Sequence, residues 1–223
     1  MTIGKTGRTE RTLVLCDFDG TICSIDMGNE LLMHFTAQGW KQIDEAYCRG
    51  EIGSREAYEQ LAELFRGTQE ESLAYILARE RLDPYFPDFC SFCREHGIEL
   101  VITSDGLDFY IAAILARHGL GTIPFFANAA IFRPDGTLTV EFPQQERCCP
   151  KCGTCKKIIL RQRRQQYDRI VYVGDGYSDV CAAQEADLIF AKGVLAERCR
   201  AHGSPAVPFA DFGDIEANLR QLL

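Results

Sequence analysis

Four short stretches of the chain, residues 13–18 (LVLCDF), 98–104 (IELVITS), 169–174 (RIVYVG) and 187–191 (DLIFA), are almost continuously apolar. Strands buried on both faces read this way, whereas strands with one wet face alternate. The segments between them have helical patterning. Residues 107–119 (LDFYIAAILARHG) close on Gly119, a helix stop, and residues 177–186 (YSDVCAAQEA) bridge the last two strands. Strand–helix–strand alternation predicts a parallel α/β sheet of Rossmann-like type, flanked by helices. A hairpin is predicted over 132–142 (FRPDGTLTVEF), where Asp-Gly separates two β-type runs.

Residues 25–83 break the alternation. NELLMHFTA, WKQIDEAYCRG, SREAYEQLAELFRG and TQEESLAYILARE are helical in period throughout, and Thr68 with Glu71 has the spacing of a capping box. A helical block inserted straight after the first strand predicts a lid over that strand's carboxyl end, where open α/β sheets bind ligands. The expected division is therefore a core of residues 1–24 and 84–223, with a helical cap of 25–83. Met33, Phe35 and Trp40 are expected in the core of that cap.

Bulk properties narrow the partners. At 223 residues, 46% apolar and 25% charged, the chain has enough apolar material for a full core. A net charge of -8 argues against nucleic acid and anionic membranes, which call for a basic face. The amino terminus (MTIGKTGRTERT) carries no apolar run of signal length, and no stretch reaches membrane-span length. Eleven cysteines in such a chain read as reduced thiols, which places the protein in the cytoplasm. The four histidines show no ligand spacing.

Candidate chemistry gathers at the strand ends. Asp17 and Asp19 follow the first strand in DFDGT, Ser104 and Asp105 follow the second in VITSDG, and Lys156 opens a helix in CGTCKKIIL. Asp175 and Asp179 follow a later strand in VGDGYSDV. Asp17, Asp19 and Asp175 offer hard oxygen ligands suited to Mg²⁺, Ser104 a hydroxyl, and Lys156 a point charge for a phosphate oxygen. A carboxylate can attack phosphorus when a cation and an ammonium offset the repulsion between the two anions.

These motifs in this order resemble the haloacid dehalogenase superfamily of phosphohydrolases, from Leu13 to about Lys192. The resemblance implies an Mg²⁺-dependent phosphomonoesterase acting through an aspartyl-phosphate. Asp17 would be the nucleophile and a metal ligand. Asp19 would be general acid and then base, its main-chain carbonyl also on the metal. Ser104, Asp105 and Lys156 would bind the phosphoryl group, Asp175 would complete the protein ligands, and Asp179 would orient Lys156 or a metal-bound water. The insert after the first strand resembles the cap of the phosphoserine phosphatase-like branch.

Within that branch, CDFDGTI with Asp26 seven residues beyond Asp19, TSDGLDFY, and the ADLIFAKGVLAERCRAHG…VPFADF end resemble the methionine-salvage group. That implies the substrate 2-hydroxy-3-keto-5-methylthiopentenyl-1-phosphate, with Asp26 near the leaving group. Phosphoserine, phosphocholine or phosphoethanolamine are the alternative substrates, and a receiver-like phospho-Asp module is the non-enzymatic alternative. The partner expected is a small phosphate ester, met by a monomer or a homodimer.

Two departures stand out. The branch has Ser-Gly-Gly where this chain has Ser104-Asp105-Gly106, so the Asp105 side chain must turn away from a phosphate or repel it. The position of the phosphoserine-binding arginine falls on Leu61, which argues against an amino-acid substrate. Finally, Cys148, Cys149, Cys152 and Cys155 surround CPKCG, which resembles one knuckle of a zinc ribbon. With no second knuckle, a thiol-rich loop positioning Lys156 is preferred to zinc.

Overall fold

A computed structural model describes residues 10–36, 38–145 and 151–222. Cys148 and Cys149, half of the four-cysteine set, lie outside the described residues. The first apolar run forms β1 (Thr12–Cys16), every residue of which is buried. Four helices follow: α1 (Met27–Phe35), α2 (Trp40–Cys48), α3 (Ser54–Leu64) and α4 (Gln69–Leu77). Then come α5 (Phe86–Glu95), β2 (Glu99–Leu107), α6 (Asp108–Arg117), β3 (Phe125–Phe132) and β4 (Leu138–Glu141). The remainder is α7 (Lys156–Arg164), β5 (Arg169–Gly174), α8 (Val180–Ala183), β6 (Leu188–Ala191), α9 (Gly193–Ala201), β7 (Val207–Pro208) and α10 (Phe212–Arg220). A single 3₁₀ turn, Tyr177–Asp179, leads into α8.

The strands form one seven-stranded sheet in the order β4-β3-β2-β1-β5-β6-β7, parallel except for the β3–β4 hairpin. β1 is central, paired in parallel with β2 (Leu13 opposite Glu99) and with β5 (Thr12 opposite Arg169). Alternate residues of β1 feed two cores. Val14 and Cys16 join Phe86, Phe89, Ile111 and Phe212 from α5, α6 and α10 on one face. Leu13 and Leu15 join Ile159, Leu160 and Leu195 from α7 and α9 on the other. Burying each such apolar side chain contributes roughly 1.5–3 kcal/mol. The expected α/β fold is the one observed. Among the described residues, no helix is long and apolar enough to cross a membrane.

Local signals act where they are strongest. Thr68 and Glu71 form the complete capping box of α4. Asp26 caps α1 by accepting a hydrogen bond from the Asn29 amide (2.8 Å), and Gly119 takes φ +72° after α6. The structure departs from expectation at Met33, which is 42% exposed and so outside the interior of the helical segment. It sits on the outer face of α1, while Phe35 packs on Phe65 (centroids 5.4 Å apart) and Trp40 is half-buried against the core.

Candidate active site

The carboxyl ends of β1, β2 and β5 open into a cavity of about 280 Å³ whose opposite wall is built by α1, α2 and α3. Asp17 continues β1 by one ladder bond, its amide donating to the Val173 carbonyl (2.9 Å). The chain then turns sharply at Gly20, whose φ of +75° suits glycine. A Cβ there would also stand 2.4 Å from the Asp175 carboxylate, so the turn and the carboxylate share one space. Asp17, Asp19, Asp26, Ser104, Asp105 and Asp175 all line this cavity.

Lys156, the first residue of α7, is 2% exposed and lies behind the cavity floor. Its Nζ donates to Asp17 Oδ1 (2.7 Å) and Asp179 Oδ1 (2.6 Å). Burial opposes its charge, but the two carboxylates overcome this and hold the ammonium well above its ordinary pKa. Burial pushes the Asp17 carboxyl well up, reinforced by the nearby Asp179 charge and opposed by Lys156. Asp179 is displaced the other way: burial raises it, yet Lys156 and hydrogen bonds hold it below the usual carboxylate range. Removing one partner from so buried a set leaves an uncompensated charge, at a cost of about 3–5 kcal/mol.

Asp17, Asp175 and Asp179 each offer a carboxylate oxygen within 4.8 Å of the others, a cluster capable of holding a cation. Asp179 is otherwise occupied. Its Oδ1 accepts from Lys156 and from the Tyr172 hydroxyl (2.6 Å), and its Oδ2 from the amides of Asp175 (3.0 Å) and Gly176 (2.9 Å). Those four donors fill the four lone-pair sites of a carboxylate. On Asp17 the Phe18 amide (2.8 Å) and Lys156 share Oδ1, and on Asp175 the Thr21 hydroxyl (2.7 Å) takes Oδ1. The second oxygen of each remains outside those bonds, so Asp17 and Asp175 fit a hard divalent cation and Asp179 fits the lysine.

Asp19 is held differently. Its Oδ1 accepts from the Met27 amide (2.9 Å), and its Oδ2 from the Tyr110 hydroxyl (2.5 Å) and, at 3.4 Å, from Ser104 Oγ. Burial, aided by the Asp26 charge and opposed by the Tyr110 bond, pushes its carboxyl up to about 7. Gly106 is required beside it, since a Cβ there would meet the Tyr110 hydroxyl at 2.0 Å and Asp19 at 2.3 Å. Ser104 Oγ accepts from the Gly106 amide (2.9 Å) and is fully buried. The Asp105 side chain turns to the loop before α7, accepting from the Thr154 amide (2.8 Å) and Asn128 Nδ2 (3.1 Å).

The helical wall is anionic and phenolic. Asp26 and Asp44 face the cavity with Tyr47 and Tyr58, beside Leu32, Ala57 and Leu61. Among the described residues that line it there is no lysine, arginine or histidine. Arg55, the cation nearest to Leu61 in sequence on α3, pairs instead with Glu59 (2.9 Å) and sits over the Phe142 ring. Sequence reasoning did not single out Tyr110, Thr21, Tyr172, Asp44, Tyr47 or Tyr58. Tyr110 had a signal, since it lies in the first turn of the helix that follows Ser104; the wall residues had none, being ordinary members of helical periods.

A family model of haloacid dehalogenase-like hydrolases matches residues 14–184, and the chain belongs to that family. It is 30% identical over 217 residues to the 2-hydroxy-3-keto-5-methylthiopentenyl-1-phosphate phosphatase of Brevibacillus brevis, covering 96% of this chain and 97% of the relative. A protein of the same name from Exiguobacterium sp. is 31% identical over 212 residues, covering 94% and 97%. Among solved structures, a substrate-bound phosphoserine phosphatase superposes with a TM-score of 0.71 at 19% identity, over 93% of this chain and 98% of that one. The protein is a phosphatase, and its substrate is a small phosphate ester.

Proposed function

We propose that the protein hydrolyses the enol-phosphate 2-hydroxy-3-keto-5-methylthiopentenyl-1-phosphate, with Mg²⁺ as cofactor and Asp17 as nucleophile. The observation that carries the substrate is the helical wall: it offers carboxylates, phenols and apolar side chains, with no cation among its described residues to pair a substrate carboxylate. Relatives covering nearly the whole chain bear the name of that activity.

Asp17 attacks phosphorus in line, and the ester oxygen leaves with the proton held on Asp19, whose pKa, raised to about 7, leaves protonated and ionised forms comparably populated near neutrality. Water then attacks the aspartyl-phosphate as Asp19 takes its proton, releasing inorganic phosphate and free Asp17. Lys156 and Ser104, with the main chain at Asp105, hold the phosphoryl oxygens. Asp17, Asp175 and the Asp19 carbonyl would hold Mg²⁺, which supplies positive charge against the anionic phosphoryl group. Asp179 keeps Lys156 aimed, and residues 25–83 act as the cap that selects the alcohol, Asp26 accepting a hydrogen bond from it.

A second reading, an amino-alcohol phosphate such as phosphoethanolamine or phosphocholine, is favoured by Asp26 and Asp44, which suit a cationic head. A receiver-like module is set aside because the family and its named relatives are hydrolases. Assay of the enol-phosphate, phosphoserine, phosphoethanolamine and phosphocholine under one Mg²⁺ condition tests the assignment. The enol-phosphate should give the highest kcat/KM, and preference for any of the others overturns it.

A further inference from the structure

Asp105 stands where the branch's pattern has glycine, and burial raises its carboxyl pKa against four opposing neighbours, Ser54, Thr154, Lys156 and Asn128. A side chain in that place needs a reason, and its contacts give one. Asp105 Oδ1 accepts from the Thr154 amide at 2.8 Å, two residues before Lys156. Asn128, fully buried on β3, donates to both the Asp105 carbonyl (2.6 Å) and Oδ1 (3.1 Å), and accepts from Thr154 Oγ1 (3.0 Å). The loop that aims Lys156 is thus tied to the end of β2 through Asp105 and Asn128.

The same loop receives the helical segment. The Gly153 amide donates to Ser54 Oγ (3.1 Å), and the Arg55 amide donates to the Lys151 carbonyl (3.2 Å). Two glycines allow this approach. A Cβ on Gly53 would lie 2.1 Å from the Lys151 carbonyl oxygen, and one on Gly153 would lie 2.7 Å from Asp105 Oδ1. The first turn of α3 is therefore seated directly on the backbone that precedes Lys156, with Asp105 beneath it.

We propose that Asp105 is a positioning residue, the hub that couples seating of α3 to the placement of Lys156 against the phosphoryl group. The proposal rests on the reading of Lys156 as a phosphoryl-binding residue. Substrate held against the α1–α3 wall favours the seated helix, the seated helix holds residues 151–154, and that loop fixes the ammonium. Asparagine at position 105 keeps an oxygen for the Thr154 amide, whereas alanine removes that acceptor, strands the buried Thr154 amide and leaves Asn128 Nδ2 only the main-chain carbonyl of residue 105.

The test compares Asp105→Ala, Asp105→Asn and Ser54→Ala in the full-length protein. It reads thermal stability, kcat and KM on p-nitrophenyl phosphate, and inhibition by inorganic phosphate, which needs the phosphoryl site and no particular alcohol. Asp105→Ala should lower kcat at least about tenfold and weaken phosphate inhibition by a similar factor, while Asp105→Asn stays within about threefold of wild type on both, the scale expected from one or two lost hydrogen bonds. Ser54→Ala should raise the phosphate inhibition constant by an intermediate factor. Wild-type kcat and phosphate inhibition in Asp105→Ala, with only the melting temperature lowered, overturns the proposal, as does equal impairment of the Asn and Ala variants. Lys156→Ala reports on the underlying reading separately: undiminished phosphate inhibition in that variant removes the role of Lys156 itself.

Discussion

The two walls of the cavity are built to different standards. On the sheet side, Asp17, Asp179 and Lys156 are almost wholly buried, and each is fixed by two or more hydrogen bonds. On the helical side, α2 contributes Asp44, Tyr47 and Cys48 yet has no buried residue, and it starts at Gly39 (φ +122°) without a side-chain cap. On the proposed reading, the chemistry common to all phosphate esters would sit on the over-determined wall, and recognition of one particular alcohol on a wall whose middle helix, α2, is the loosely held one. Preorganised charge needs that rigidity, whereas selectivity needs only contacts of about 1 kcal/mol each, which a marginally packed helix can change without unfolding the site.

If the walls divide the labour in this way, damage to the sheet side should be far larger. Asp17→Asn should reduce kcat at least about 10⁴-fold on every ester with the fold retained, since an amide is no nucleophile. Residual activity within tenfold of wild type in a stopped assay would break the comparison at its root. Chelation with EDTA should lower the rate by about a hundredfold or more, reversed by Mg²⁺ and not by Ca²⁺, whose looser and larger coordination misplaces the attack; steady-state rates before and after metal addition check this. Asp19→Asn should cost roughly 10²–10⁴-fold on alkyl or enol esters and less on activated aryl phosphates, because a good leaving group needs little protonation. Equal losses on the two classes would deny Asp19 the acid role. Asp44→Asn, on the helical side, should change KM by only about two- to tenfold with kcat and melting temperature nearly untouched. A collapse of kcat there would show that the division between the walls is wrong.

The sheet side was also the legible side. β1, β2, β5 and β6 announce themselves as apolar runs because both faces are covered; Asp17 and Asp175 follow β1 and β5 at once, Ser104 ends the apolar run of β2, and Lys156 opens α7. Of β3 only the last residue, Phe132, fell within the predicted hairpin, and β7 was not read at all. The first half of β3 (FFAN) is too short and too close to a loop for periodicity to act, and β7 is two residues long. The four inserted helices were visible in their period, but periodicity says which face is apolar and nothing about which polar residue meets a ligand. Asp44, Tyr47 and Tyr58 were invisible for that reason. Asp105 was legible as a departure, and what compensates it was not: Asn128 and Thr154 reach it across 23 and 49 residues of sequence.

The central position of β1 has a consequence for how the protein comes into being. Its two neighbours are distant in the chain, with Arg11 bonded to Asp168 across 157 residues and the whole helical insert lying between β1 and β2. Closing such long loops precedes the contacts that reward it, which makes topologies of this kind slow to fold. During synthesis β1 is made before its partners; the face of Val14 and Cys16 can be met by α5 and α6, whereas the face of Leu13 and Leu15 waits for α7 and α9, and one edge for β5. Until those elements are made, residues 12–16 are an apolar segment without its native cover, the kind of surface through which incomplete chains associate.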